Sequence, residues 1–308
     1  MANFSSWRIY GEWVLSQLLL RIVEILLPIF AIVAAGFFYA RKHRPEMAVA
    51  NRLNMDVFLP ALIFGTLAGK SLVLPDYGSL ALAGLFVILL PGLLAWPAAR
   101  LLGMQPKTFV PPMMFNNSGN IGLPLALLAW GEKAMPVAMV LFLVSNLLHF
   151  SLGARLLDPK ASLSTVWRIP VVMAAMAGVV VGLLQLNIWP PVLTAIKLMG
   201  NISVPLLLFA LGVRLTDVSL TGWKVSAFAA VFRPLSGMAA AWCAIALLGL
   251  SGLEAAILLV FGSLPPAVLN FLFAERYQQE PETVASIVLL GNLAALVTLP
   301  LSLALVLE

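Results

Sequence analysis

A membrane-length stretch that carries the wrong residues for a membrane helix sets the terms for this chain. Residues 108–130, TFVPPMMFNNSGNIGLPLALLAW, are long and apolar enough to cross a bilayer. Their middle nevertheless holds Asn116, Asn117, Ser118, Gly119, Asn120, Gly122 and Pro124. Proline removes a backbone donor, and Leu123 before it is expected to leave helical angles. Glycine loosens the backbone, and three asparagine amides need partners where water is absent. An interruption of this kind survives at membrane depth only when it is buried in protein or faces a wet cavity. The stretch is therefore a candidate binding site.

The remainder of the chain also reads as membrane. Of 308 residues, 62% are hydrophobic and 10% charged, against about 45–50% and about 25% in soluble domains. Ten spans are expected, at about 17–40, 48–68, 79–102, 108–130, 134–157, 169–187, 191–213, 223–249, 253–275 and 283–307. The short connections leave no room for an inserted soluble domain. A single cysteine, Cys243, excludes an internal disulfide or a cysteine metal cluster and reads as packing. The net charge of +5 comes without a dense basic patch, so no nucleic-acid partner is expected.

Residues 1–15 lack a signal-peptide pattern and carry Trp7, Tyr10 and Trp13 at helical spacing, which predicts an interfacial segment. Twelve of the 18 Lys and Arg residues fall in the loops after spans one, three, five, seven and nine, among them Arg41, Arg44 and Arg214. Five lie on the opposite side, and Arg233 sits within span eight. The positive-inside bias places both termini outside the cytoplasm of a cell membrane, read here as a bacterial inner membrane.

The two halves resemble each other. PIFAIVAAG (28–36) matches PVVMAAMAG (170–178), LNMDVFLPALIFGTL (53–67) matches LMGNISVPLLLFALG (198–212), and VLFLVSNL (140–147) matches SIVLLGNL (286–293), at offsets of 142, 145 and 146. Three matches in one order point to a duplication. Five spans per copy is an odd number, so the second copy runs upside down. The expected organisation is a repeat over 16–157, a cytoplasmic linker over 158–168 and a second repeat over 169–308. Span four aligns with span nine, where Gly262, Ser263, Pro265, Pro266 and Asn270 interrupt the same helix with different residues. Inverted repeats with broken helices meeting mid-bilayer are a pattern of secondary transporters.

Broken helices expose half-helix N-termini with unpaired N–H groups and partial positive charge, which suit a carboxylate or similar anion. The candidate substrate-binding residues are Asn116, Asn117, Ser118, Asn120, Pro124, Pro265, Pro266 and Asn270. Asp56, Asn54, Asn201, Asn146 and Asn292 are candidates for an accessory, proton or ion role. For each asparagine the bland alternative is that it ties down the kink. Arg233 reads first as a carbonyl contact or a snorkelling cation, and His149 as a hydrogen-bonded packing residue. No metal site and no cofactor is expected. A pair of adjacent acidic residues at the crossing is absent, which argues against a sodium/proton antiporter and leaves sodium or proton coupling, or uniport, open.

Asn117-Ser-Gly-Asn-Ile-Gly-Leu-Pro124, together with Leu264-Pro-Pro-Ala and Phe271-Leu-Phe-Ala-Glu-Arg-Tyr277, resembles the auxin efflux carrier family. That family includes plant PIN-FORMED carriers and bacterial carriers of malonate or malate. The resemblance implies an all-α membrane protein of ten transmembrane helices in two inverted repeats of five. Helices four and nine would be broken and crossing, as in bile-acid symporters and sodium/proton antiporters. It implies a scaffold of spans one, two, six and seven, a mobile transport domain of spans three to five and eight to ten, and a homodimer formed through the scaffold. It also implies that Asn117, seven residues before Pro124, contacts a substrate carboxylate. Departures are the short 158–168 linker and Ile169, which stands before Pro170 where the family often has asparagine. The expected function is alternating-access transport of a small organic anion, auxin-like or a dicarboxylate. The rival readings are an intramembrane serine hydrolase built on Ser118 and His149, and a membrane sensor that binds a ligand without moving it.

Overall fold

The computed structural model describes residues 4–68, 77–161, 163–216 and 222–307, with side chains from residue 16 onward except 163–165. The aromatic anchors expected at Trp7, Tyr10 and Trp13 therefore lie outside the described side chains. Among the described residues the chain is helical throughout, without a β-strand.

The α-helices follow the chain as α1 (Phe4–His43), α2 (Ala48–Leu53), α3 (Leu59–Leu67), α4 (Gly78–Leu101), α5 (Pro106–Met114), α6 (Leu123–Trp130), α7 (Met135–Leu148) and α8 (Ala154–Leu157). After them come α9 (Pro170–Leu183), α10 (Pro190–Asn201), α11 (Ser203–Arg214), α12 (Trp223–Leu248), α13 (Gly252–Ser263), α14 (Leu269–Arg276) and α15 (Pro281–Ala304). Six helical stretches are long and apolar enough to cross a membrane: Ser16–His43, Gly78–Leu101, Glu132–Leu157, Pro190–Arg214, Trp223–Leu248 and Pro281–Ala304. Shorter apolar helices, among them Ser118–Trp130, Pro170–Leu183 and Gly252–Ser263, occupy other expected spans. Two of these are short because a break cuts the span. The protein is an integral membrane protein by this count and by its composition.

Three π-helical turns lie at Asn54–Phe58, Ser118–Gly122 and His149–Gly153. The first and third widen a turn inside a continuing helix, and the one at Ser118–Gly122 opens a half-helix; π-helical turns recur at functional sites. One of them corrects the expectation for Leu123, which stays helical at φ −62°, ψ −50°. The widened turn ahead moves the Asn120 carbonyl off the Pro124 ring, and at a helix start the missing proline N–H needs no partner. Pro124 thus opens α6 rather than breaking the span.

Packing sorts the helices into two groups. α1 runs along α11, and α3 packs on both α9 and α10. In the second group α12 packs on α4, α13 and α15, and α4 on α5 and α7. Glycines set the closest approaches in the first group. A Cβ on Gly36 would run into the Phe209 carbonyl, and one on Gly178 would meet the backbone of Phe64 and the side chain of Leu67. Gly36 aligns with Gly178 in the matched segments, and Phe64 with Phe209. The two contacts therefore pair aligned residues reciprocally. Cys243, expected to pack, is exposed on α12.

Candidate functional site

The span-four helix stops at Met114, passes through Phe115, Asn116 and Asn117, and restarts in the π-helical turn at Ser118. Phe115 is extended (φ −96°, ψ 109°) and Asn117 lies outside helical angles (φ −81°, ψ 52°). The span-nine helix stops at Ser263 and restarts at Leu269. Leu264 is extended at φ −60°, ψ 143°, the geometry expected before a proline.

These two interruptions meet. Asn117 N–H donates to the Pro265 carbonyl at 2.8 Å, Ala267 N–H donates to the Phe115 carbonyl at 2.9 Å, and Asn116 faces Pro266 in an antiparallel bridge. Backbone groups freed by each break are thus satisfied by the other, as an apolar medium requires. Side-chain amides complete the joint. Asn116 Nδ2 donates to Phe261 O (2.6 Å) near the C-terminal end of α13, and Asn270 Nδ2 donates to Phe115 O and Ala267 O (both 2.9 Å). Asn117 Nδ2 donates to Asn292 Oδ1 (3.0 Å), while Asn292 Nδ2 donates to Pro266 O (3.2 Å) and Val288 O (2.8 Å).

Beside the joint lies a chamber of about 190 Å³. Asn54, Asn116, Asn117, Ser118, Asn120 and Asn146 all line it. Asn51, Gly119, Ser145 and Arg214 line it too, none of them expected as a substrate contact, together with His149, which the sequence offered only as a packing residue or as the base of the rival hydrolase. Other candidates stand elsewhere. Pro265, Pro266, Asn270 and Asn292 hold the joint from behind, Pro124 is buried in α6, and Asp56 and Asn201 are exposed away from the chamber. Asp56 and Asn54 share a π-helical turn, and only the Asn54 side faces inward. The residues were found where a polar group interrupts an apolar run. Arg214 escaped because at a helix end it reads as one more loop cation; only the fold of α11 turns it inward.

The chamber wall comes from both helix groups. Asn51, Asn54, Met55 and Leu59 belong to the α2–α3 span and Leu207, Ala210 and Arg214 to α11, whereas the 116–120 break, α7 and the 267–272 segment face them. Phe115 and His149 stack at 4.1 Å with 7° between their planes, fixing the imidazole at the wall. His149 is thus a packing residue as expected. It is not hydrogen-bonded through Nε2, which has no partner, although the Asn270 side chain is its polar neighbour. Arg214 among the lining residues is the sole charged one and is half-buried. Asn51, Arg214 and Val268 also line a wider vestibule of about 530 Å³, bordered by Pro45, Met47, Glu275 and Glu282. The chamber therefore adjoins this vestibule, which lies on the face that carries the loops after spans one, seven and nine.

Arg233 takes no part in the chamber. It is fully buried on α12, and its Nη1 donates to Gly262 O at 3.2 Å. A cation there sits at the negative end of the α13 half-helix. The carbonyl contact takes one of its nitrogens, while Nε and Nη2 are buried without a hydrogen-bond partner.

Residues 160–303 match the family described as "Membrane transport protein". The chain is 23% identical over 302 residues to an uncharacterized transporter of Methanocaldococcus jannaschii, covering 91% of this chain and 97% of that one. Over 108 residues it is 29% identical to a protein of Oryza sativa subsp. japonica named "Probable auxin efflux carrier component 1c", covering 34% of this chain and 18% of the other. The resemblance to the auxin efflux carrier family holds.

Proposed function

We propose that this membrane transporter, related to the auxin efflux carriers, moves small organic anions by alternating access, with the substrate held at the crossing of spans four and nine. One observation carries the reading: two helix interruptions are bonded to each other beside a chamber lined in part by asparagines, which adjoins a vestibule on one face. In an uninterrupted bundle no backbone N–H would be available to a ligand; here the turn Ser118–Asn120 begins a half-helix at the chamber wall.

The ten-span, inverted five-plus-five architecture is supported by the reciprocal Gly36–Phe209 and Gly178–Phe64 contacts, which a pseudo-two-fold axis would generate. α1, α3, α9, α10 and α11 form the scaffold, and the group around α4, α12 and α15 is the moving transport domain. The chamber lies between them, where sliding of one group past the other alternates its exposure. The vestibule opens on the basic-loop face, which the positive-inside bias makes cytoplasmic, so the conformation described is inward-open. The termini then lie outside the cytoplasm of a bacterial inner membrane. The outward apolar surface of α9 and α10, with Met176, Leu183 and Trp189 exposed, is available for a scaffold homodimer or for lipid.

The test is counterflow in proteoliposomes preloaded with an unlabelled carboxylate. Accumulation of the radiolabelled acid supports a carrier, whereas binding without accumulation supports a sensor. Covalent labelling of Ser118 by a serine-reactive probe, together with turnover, would replace the carrier by a hydrolase.

A further inference from the structure

Arg233 is a buried charge that the chamber does not use. It stands ten residues after Trp223 and 15 before Leu248 on α12, so about 15 Å and about 22 Å of helix separate it from the two ends. It is 0% exposed. Other charged residues of the group around α4, α12 and α15 stand in the first or last turn of their helices, as Arg100, Lys107, Glu254 and Arg276 do. A cation at this depth without a counter-ion is costly, and an arginine does not escape the cost by losing its proton.

Its seat holds the charge without an ion pair. Nη1 donates to the Gly262 carbonyl at the end of the α13 half-helix, and no carboxylate among the described residues bonds to the guanidinium. Gly237, one turn along α12, makes the room: a Cβ there would overlap both Arg233 Nη1 and the Gly262 carbonyl. Half-helix C-terminal ends are where secondary transporters hold coupling cations. At this one the chain supplies a cation of its own, which cannot dissociate. α13 leads into the second break, and that break is bonded to the first. The charge and the Asn116–Asn120 wall of the chamber therefore belong to one body.

We infer that Arg233 is the fixed counter-charge of the moving domain. The empty domain crosses the membrane field with one buried positive charge, and the domain loaded with a monocarboxylate crosses with none. The guanidinium and the substrate need not touch, because charges on one moving body add whatever their separation. Membrane voltage therefore acts on the return of the empty carrier and not on the loaded step. This role rests on the reading of the protein as an anion carrier whose α4, α12 and α15 group moves.

The experiment uses the full-length protein in proteoliposomes, with the potential clamped at zero or at about −100 mV inside by potassium and valinomycin. Radiolabelled lactate, pyruvate or indole-3-acetate is the probe. Saturating acid on both sides reports exchange, in which loaded domains alone cross. Wild-type exchange is expected to change by less than about 1.5-fold between the two potentials. Net efflux into acid-free buffer is expected to speed up about twofold at the negative potential, which draws the empty, positive domain back inward. In Arg233→Gln the loaded domain is negative, and exchange is expected to slow about two- to threefold at the negative potential. Arg233→Lys restores the wild-type pattern. A mere strut would alter melting temperature and turnover and leave the voltage dependence alone. Where Arg233→Gln yields no exchange, folded or not, the two wild-type results decide. Wild-type exchange that slows, net efflux that ignores the potential, or flat exchange in Arg233→Gln overturns the inference and leaves the carrier reading standing, as does exchange of malonate or succinate alone. Absence of exchange with all five acids removes the anion-carrier reading and the inference together.

Discussion

The two breaks do the same topological job with different residues. The first is built from Phe115, Asn116 and Asn117 and flows into a π-helical turn of Ser, Gly and Asn; it puts amides and N–H groups on the chamber wall. The second, Leu264 to Val268, is built on Pro265 and Pro266, and its contribution to the wall is Ala267 and Val268, apolar side chains. Proline makes a break by forbidding a hydrogen bond, so it needs no polar side chain and offers none. Asparagine makes one by competing for the backbone, and it keeps an atom to spare for a ligand. The pairing suggests a division of labour, with one interruption shaped for recognition and the other for restraint.

That contrast can be broken or sharpened by substitution. The largest effect on binding is expected for Asn117→Ala, compared with Asn292→Ala. Both delete the same Nδ2–Oδ1 hydrogen bond. Stability losses of about 1–3 kcal/mol are expected for a buried group left unpaired, the larger in Asn292→Ala, which also loses its donors to Pro266 O and Val288 O. Ligand affinity should drop about 10–100-fold in Asn117→Ala alone, as for a hydrogen bond to a charged group. Equal affinity losses in the two variants would reduce Asn117 to a strut. Next comes Asn270→Ala, which removes donors to Phe115 O and Ala267 O, one in each break. Each carbonyl keeps a backbone donor, so a stability loss of about 1–2 kcal/mol is expected, with a smaller loss of affinity than in Asn117→Ala. The smallest effect on affinity is expected for Pro266→Ala. A new buried N–H appears in the second break, so thermal stability should fall by about 1 kcal/mol while ligand affinity stays within about threefold. A larger affinity change there than in Asn117→Ala would reverse the assigned roles.

The positions of the breaks were readable because polar and helix-breaking residues are costly inside an apolar run unless the helix opens there, and their meeting followed from the internal duplication. The inward side of span two was not readable. Asn54 and Asp56 sit two residues apart in a π-helical turn, and an ordinary helical period gives no warning of an added residue. Pro124 misled for a related reason, since the turn before it absorbs the clash that its sequence position implies. Arg214 and His149 were present as residues but not as a site, because their place at the wall depends on packing between spans far apart in the chain. What periodicity cannot supply is which of two polar neighbours turns inward.

The main-chain bonds at the crossing have a mechanical corollary. Asn117 to Pro265 and Ala267 to Phe115 rivet the two half-helix pairs into a single hub, and prising it apart would strip four peptide groups of their partners with no water to replace them. A load seated on one arm is thereby borne by both. If cargo crosses the membrane here, the hub travels with it intact, and the yielding surface is the seam where α2, α3 and α11 face it.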